Sequence, residues 1–275
     1  MKKIYITDLD HTFLRNDLSI SDYTKTIWNA KAQHSILGVA TARSLKRTKQ
    51  YLQGVHINAP MILLDGALVA THEHELIDSK LLGKEIGDSI IAEGAKFGIY
   101  PFVLSLLDEK LNEGFLHSNI LNEEQKKVLA NYDRSDGLLG YDTLRATQQN
   151  LKIVYMGEEQ LLRDLEKHLK AIYGDELKYI LAPEAYVGCY FLTLLHKDAD
   201  KAHGIQSVSE YMGFDLAELT VFGDNYNDLG MFELANISVA VANAQEGVKA
   251  KAKIILEHTN EQDAVAKYLE SLQYV

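Results

Sequence analysis

Residues 1–14 read MKKIYITDLDHTFL. Residues 3–7, with β-branched and aromatic side chains at their centre, are typical of a buried β-strand, and the TDLD that follows places Asp8 and Asp10 two positions apart. Side chains two apart leave a strand on the same side, so the two carboxylates repel each other unless a cation lies nearby or one is protonated. A divalent cation such as Mg²⁺ prefers carboxylate oxygen and often shares its coordination with a phosphate. Turn or helix-capping roles would also explain the two aspartates.

Strands and helices alternate on both sides of this stretch. Ser21 is the expected N-cap of the first helix. The predicted strands are residues 3–7, 36–40, 61–64, 219–222, 237–241 and 254–256, and the predicted helices between them include 21–34, 44–52, 203–212 and 227–235. This alternation predicts an α/β fold with a doubly wound, mostly parallel, Rossmann-like core.

The pattern changes in the middle of the chain. Residues 100–107 and 110–117 are predicted to form a hairpin, and later strand pairs lie between helices, which is typical of an α+β module. The sequence therefore predicts a core made of residues 1–81 and 191–275, with an α+β domain inserted at residues 82–190.

Composition narrows the classes of function. The chain has 275 residues and a net charge of −11, which disfavours nucleic acid and anionic membranes as partners. Cys189 is the only cysteine, so no intrachain disulfide can form, and no stretch has the length of a membrane span. We expect a cytoplasmic protein whose partner is a small molecule.

Polar groups follow each strand that is predicted to lie near the centre of the sheet. Ligands of open α/β sheets bind at the carboxyl ends of the strands, so these groups are candidates for a functional site. They are Asp8, Asp10 and Thr12 after the first strand, Thr41 and Arg43 after the second, Asp65 and Gly66 after the third, and Asp224, Asn225, Asn227 and Asp228 in the GDNYND stretch after residues 219–222.

The residues around each candidate distinguish functional from structural roles in only some cases. The Thr41 hydroxyl and the N–H groups of a helix start are suited to an anion, but an ordinary N-cap would look the same. Arg43 and Lys201 would each pass as surface charges. GDNYND holds more carboxylate and amide groups than a helix cap requires, which favours a functional role.

Taken in order, DLDHT (residues 8–12), Thr41, Lys201 and GDNYND (residues 223–228) resemble the four motifs of the haloacid dehalogenase (HAD) superfamily. The inserted segment resembles the type IIB cap of the Cof-type phosphatases, a subgroup similar to sucrose-phosphate phosphatase and phosphomannomutase. DGA (residues 65–67) and VANA (residues 241–244) match weaker signatures of that family.

The resemblance implies a chemistry for the motif residues. Asp8 would be the nucleophile that forms an aspartyl-phosphate, and Asp10 would be the general acid and then the general base. Thr41 and Lys201 would bind phosphoryl oxygens, and Asn227 would help to orient the phosphate or the metal shell.

The resemblance also implies a metal. Mg²⁺ would be held by the Asp8 carboxylate, the Asp10 main-chain carbonyl and Asp224, with Asp228 in a supporting role. The residues expected to line the site are Thr12, Arg43, Asp65, Gly66 and Asn225.

Three positions depart from the common family pattern. Thr-Ala-Arg (residues 41–43) replaces Thr-Gly-Arg, and Asp263-Ala264 replaces Asp-Gly. Asp65 stands where Asn is frequent, and a carboxylate at that point would repel a phosphate unless it is protonated or on the metal.

The sequence thus predicts a Mg²⁺-dependent phosphatase that acts on a small phosphorylated metabolite, with sugar phosphates as the first class. The alternatives are a phosphomutase of the phosphomannomutase type and a non-catalytic sensor of a phosphorylated ligand. The substrate groups of the inserted domain stay unassigned among Tyr100, His117, Arg145, Lys152 and Tyr186.

Overall fold

The computed structural model describes residues 2–130, 137–184 and 188–272. In chain order, its strands are β1 (Ile4–Thr7), β2 (Ile36–Val39), β3 (Met61–Leu63), β4 (Leu68–Ala70), β5 (Leu76–Ser79), β6 (Phe102–Leu106), β7 (Glu113–Ser118), β8 (Leu138–Tyr141), β9 (Asn150–Gly157), β10 (Leu177–Glu184), β11 (Cys189–His196), β12 (Leu219–Gly223), β13 (Ile237–Ala240) and β14 (Ile254–Ile255). Its α-helices are α1 (Asp22–Lys31), α2 (Leu45–Tyr51), α3 (Lys84–Lys96), α4 (Glu123–Ala130), α5 (Glu159–Tyr173), α6 (Lys201–Met212), α7 (Leu229–Leu234), α8 (Glu246–Lys249) and α9 (Ala264–Ser271).

The chain folds into two compact units. The first consists of Met1–Ser79 together with Asp200–Val275, and the second is Lys80–Ala199. The first unit holds a parallel five-stranded sheet in the order β14-β13-β12-β1-β2. The predicted α/β fold with a mostly parallel sheet is confirmed.

The central strand β1 shows why this sheet forms. All four of its residues, IYIT, are buried, as expected for a parallel strand that is covered on both faces. The helix that follows β1 begins where the sequence predicted, because the Ser21 side chain accepts a hydrogen bond from the Thr24 N–H at 3.0 Å.

A small antiparallel sheet, β3-β4-β5, continues the first unit. Ala40 and Ile62 form a parallel bridge, so β3 runs alongside the end of β2. The end of β3 is thereby brought next to the end of β2, on the side away from β1.

The second unit is an α+β module with a six-stranded sheet in the order β10-β11-β9-β6-β7-β8. Its pairs are antiparallel except for β7 with β8, which are parallel. One apolar core joins this sheet to α3 and α5, and the Tyr155 hydroxyl at its centre donates to the Ile90 carbonyl oxygen at 2.7 Å.

The structure differs from the sequence-based boundaries in two places. The predicted core segment begins at residue 191, which lies inside β11. This strand pairs with β9 and β10, so all of it belongs to the second unit. Strand β8 lies in a polar stretch whose pattern predicted no element, and its Tyr141 is exposed. The pattern of residues 122–131 predicts a further helix, which the structure shows as α4 (Glu123–Ala130). The predicted last residue, Asn131, and the candidate substrate group Tyr186 lie outside the described residues.

Among residues 2–130, 137–184 and 188–272, no helix combines the length and the apolar character needed to cross a membrane.

Candidate active site

The carboxyl ends of β1, β2 and β12 bring the predicted residues to one edge of the sheet. β1 lies between the other two strands, so Asp8, Thr41 and Asp224 follow neighbouring strands. The backbone ladder continues into the loops, since the Asp8 N–H donates to the Phe222 carbonyl oxygen at 2.9 Å.

Lys201 lies at the start of α6, with its side chain almost completely buried against two carboxylates. Its ammonium donates to Asp8 Oδ1 at 2.6 Å and to Asp228 Oδ1 at 2.7 Å. Burial alone would lower the pKa of this lysine, but Asp228, Asp8 and Asp65 together raise it above its ordinary value. Lys201 therefore remains a cation beside Asp8.

Asp228 organises the GDNYND loop with both of its carboxylate oxygens. Oδ1 accepts from Lys201, and Oδ2 accepts from the backbone N–H groups of Asp224 at 2.9 Å and Asn225 at 3.0 Å. A Cβ at Gly223 would lie 2.5 Å from Asp228 Oδ2, so only glycine fits beside this carboxylate. Because its oxygens are already used, Asp228 is placed to support a metal shell.

Three buried carboxylates form an acidic cluster that suits a divalent cation. One oxygen from each of Asp8, Asp224 and Asp228 lies within 4.8 Å of the others. Burial raises the pKa of Asp8 well above its usual range, and burial and then Asp228 raise that of Asp224 to about 6. Thr12 orients this cluster, because its hydroxyl donates to Asp224 Oδ1 at 2.8 Å. Three carboxylates carry more negative charge than the single Lys201 ammonium offsets, and carboxylate oxygens are ligands that suit Mg²⁺.

Arg43 and Asp10 form an ion pair in which both carboxylate oxygens accept. Arg43 Nε donates to Asp10 Oδ2 at 2.7 Å, and Nη2 donates to Asp10 Oδ1 at 2.5 Å. This pairing contradicts the interpretation of Arg43 as a solvated surface charge. The fully buried Thr41 hydroxyl accepts from the Arg43 N–H at 3.2 Å, which leaves its own proton for another acceptor.

Asp65 lies in a tight turn after β3 and contacts Asn227. Its Oδ1 accepts from Asn227 Nδ2 at 2.8 Å, and its backbone is left-handed, with φ of 55°. Gly66, with φ of 89°, follows it, and a Cβ there would lie 2.0 Å from the Asp200 carbonyl oxygen. This close approach holds the turn against the start of α6, one residue before Lys201.

The structure therefore gathers the predicted residues into three linked groups. They are the Asp8–Lys201–Asp228 group with Asp224, Asn225 and Thr12; the Asp10–Arg43 pair beside Thr41; and the Asp65–Asn227 pair beside Gly66.

Two further contacts were absent from the sequence reasoning. The Asn243 side chain donates to the His11 carbonyl oxygen at 2.7 Å and so supports the loop after β1, where His11 has φ of 56°. The Tyr51 ring lies against the Arg43 guanidinium, 4.5 Å from carbon to ring centroid. Only the VANA signature pointed toward Asn243, and no sequence signal pointed toward Tyr51.

Known proteins resemble this chain over almost its whole length. A model of the haloacid dehalogenase-like hydrolase family matches residues 5–269. The 5-amino-6-(5-phospho-D-ribitylamino)uracil phosphatase YitU of Bacillus subtilis is 23% identical over 269 residues, which are 96% of this chain and 94% of that protein.

Solved structures share the fold. A Thermotoga maritima protein superposes with a TM-score of 0.80 at 25% identity, covering 98% of this chain and 97% of its own. A HAD subclass IIB sugar phosphatase superposes with a TM-score of 0.73 at 20% identity, covering both chains completely, and at that identity it supports the fold alone.

The fold and these relatives define an enzyme of the phosphatase class. The chain belongs to the haloacid dehalogenase-like hydrolase family, in its Cof-type branch, as the resemblance of its motifs predicted.

Proposed function

We propose that the protein is a Mg²⁺-dependent phosphatase that hydrolyses a small phosphorylated metabolite, a sugar phosphate in the first instance, through an aspartyl-phosphate on Asp8. The observation that carries the proposal is the Asp8–Lys201–Asp228 arrangement. Lys201 holds Asp8 Oδ1, and among the described residues no donor contacts Oδ2. One oxygen of a buried carboxylate thus remains for attack on phosphorus.

The proposed metal would occupy the acidic cluster. Asp8 and Asp224 would bind it, and Asp228 would hold the loop that carries Asp224. When bound, Mg²⁺ would offset the charge of the phosphoryl oxygens and of the attacking carboxylate.

Four side chains have proposed roles in the two steps of the reaction. Asp8 Oδ2 bonds to phosphorus as the bond from phosphorus to the leaving oxygen breaks, and Asp10 gives that oxygen a proton. Lys201 and the Thr41 hydroxyl stabilise charge on the phosphoryl oxygens. In the second step Asp10 takes a proton from water, whose oxygen attacks phosphorus and releases Asp8 and inorganic phosphate.

The second unit, Lys80–Ala199, is proposed to be the type IIB cap that the sequence predicted. Its size and α+β composition support this assignment. Substrate choice is proposed to reside in that unit, and the cytoplasmic location expected from the sequence stays a prediction.

A panel of phosphorylated metabolites tests the proposal directly. We expect phosphate release from a few related alkyl phosphates in Mg²⁺ and a loss of at least about a hundredfold when EDTA replaces it, because the buried carboxylates would then repel the phosphoryl group. The panel should include 5-amino-6-(5-phospho-D-ribitylamino)uracil, which is the substrate named for the Bacillus subtilis relative.

Other outcomes of the panel distinguish the alternatives. An isomerised sugar phosphate without free phosphate would support the phosphomutase. Saturable binding of a phosphorylated compound that is neither hydrolysed nor isomerised would support the sensor. Activity that is unchanged in EDTA, after thorough metal removal, would contradict the Mg²⁺-dependent mechanism.

The pH dependence of metal binding gives a second prediction. A raised pKa means that the group keeps its proton at higher pH, and the proton competes with the metal for Asp224, whose pKa is about 6. We expect the apparent Mg²⁺ dissociation constant to rise by at least about tenfold per pH unit below pH 6, because the pKa of Asp8 is raised as well and its proton also competes with the metal.

Thermal shifts induced by Mg²⁺ in buffers from pH 5 to 8 measure this dependence. Asp224→Asn is the matched control, because it should abolish most of the shift at every pH. An affinity for Mg²⁺ that is constant from pH 7 to pH 5 would contradict a proton shared with the metal site.

A further inference from the structure

Asp10 lies in the loop after β1, and a single side chain, that of Arg43, orients its carboxylate. About a third of its side chain is exposed. Within the described parts of the chain, every hydrogen bond to this carboxylate comes from Arg43. The Arg43 guanidinium therefore sets the orientation of the Asp10 carboxylate, which is proposed to transfer the proton.

The Arg43 pairing leaves one lone-pair site open on each oxygen of the Asp10 carboxylate. Each carboxylate oxygen has two lone-pair sites, and the guanidinium fork uses one on each oxygen. The remaining sites are available for a proton and for the leaving oxygen. A planar fork fixes the plane of the carboxylate, which a lysine ammonium would not do.

Tyr51 in turn restricts Arg43. An arginine side chain has several rotatable bonds, and that of Arg43 is 20% exposed, so a ring packed against its guanidinium favours one rotamer and sharpens the geometry of the ion pair. The half-buried Tyr51 ring lies across the guanidinium, at the last position of α2, the helix that starts two residues after Arg43. A cation–π contact of this kind shifts a rotamer population by a factor of about two to thirty.

We propose that Tyr51 is a positioning residue for proton transfer by Asp10 and that it acts through Arg43. The inference rests on the proposed function, because it assigns a role in that reaction. It adds a residue outside the acidic cluster, whose ring packs against the Arg43 guanidinium.

The dependence of rate on the leaving group distinguishes positioning from a purely structural role. Phenolate needs a proton from the enzyme more than p-nitrophenolate does, because it is the stronger base. The value of kcat/KM covers the steps up to departure of the leaving group, so it is not affected by the later role of Asp10 as a base. Loss of acid positioning must therefore steepen the dependence of kcat/KM on leaving-group basicity.

The experiment measures kcat/KM for substituted aryl phosphates, from p-nitrophenyl phosphate to phenyl phosphate, in Mg²⁺. For Tyr51→Leu we expect a loss of about fivefold to tenfold with phenyl phosphate and of less than about twofold with p-nitrophenyl phosphate. Tyr51→Phe keeps the ring and should stay within about twofold of wild type on every ester. Tyr51→Met serves as a second ring-free variant if Tyr51→Leu does not fold.

A double-mutant cycle tests the route through Arg43. In an Arg43→Ala background, Tyr51→Leu should leave the leaving-group slope unchanged, because the group through which it acts has been removed. Equal losses on all esters in Tyr51→Leu, or a further steepening in the double variant, would overturn the inference.

Failure of the proposed function would look different. In that case the wild-type protein would release no phosphate in Mg²⁺ from any compound of the metabolite panel or from any aryl ester, or Asp8→Asn would release it as fast as wild type. Normal wild-type turnover with a flat response to Tyr51→Leu would refute the Tyr51 role alone.

Discussion

Asp8→Asn is expected to lower phosphate release by at least about a thousandfold while leaving the protein folded. The amide keeps the shape of the side chain but is a very poor nucleophile. The Lys201 ammonium also loses one of the two carboxylates to which it donates, and Asp228 is the one that remains. Initial rates on the best substrate of the panel, in saturating Mg²⁺, measure the effect.

The covalent intermediate gives this prediction a second measurement. Acid quenching during turnover should trap phosphate on the wild-type chain as an acid-stable, base-labile acyl phosphate, and Asp8→Asn should trap none. Asp22→Asn is the matched control, since Asp22 is exposed at the start of α1 and should retain full activity. A variant at Asp8 that keeps a tenth of the wild-type rate would refute nucleophilic catalysis by this residue.

The sheet could be predicted from the sequence because its signals are local. The buried run in β1 and the polar residues after β2 and β12 are contiguous in the chain, and parallel strands place their carboxyl ends at one edge. The positions of Asp8, Thr41 and Asp224 follow from that rule alone. Strand β8 lacked such a signal, since it is a largely unburied edge strand of four residues.

The ion pairs and hydrogen bonds within the site could not be predicted from local sequence patterns. Lys201 became a candidate only through the resemblance to a family, because its partners Asp8 and Asp228 lie 193 and 27 residues away. Arg43 looked like a surface charge because nothing within its own helix start marks Asp10 as its partner. Such contacts form where loops distant in the chain come together in the fold, and hydrophobic periodicity carries no information about them.

Asp65 illustrates a departure that the structure partly explains. As a carboxylate it accepts from Asn227 at 2.8 Å, and its charge contributes to the raised pKa of Lys201. An asparagine could accept the same hydrogen bond but would supply no charge. The sequence predicted repulsion of phosphate unless Asp65 is protonated or on the metal, and it could not show that the buried Lys201 cation lies nearby.

Lys201→Met is expected to reduce both activity and stability, since it removes the cation from a cluster of buried carboxylates. Without the ammonium, Asp8 and Asp228 stay buried with no opposite charge, a loss that typically costs about 3–5 kcal/mol. For a protein of this size that corresponds to a fall in Tm of roughly 10 °C in the absence of metal. Turnover in Mg²⁺ should fall about a hundredfold to a thousandfold, because a donor to the phosphoryl oxygens is lost.

The metal dependence of this variant makes the prediction specific to the site. A divalent cation bound by Asp8 and Asp224 would offset part of the repulsion, so Mg²⁺ should raise the Tm of Lys201→Met by more than it raises that of wild type. Lys251→Met is the control, because Lys251 is exposed and its loss should change neither value. If Lys201→Met and wild type have equal Tm in EDTA, the ammonium does not neutralise the cluster. The conclusion that Lys201 stabilises the buried carboxylate of Asp8 would then be wrong.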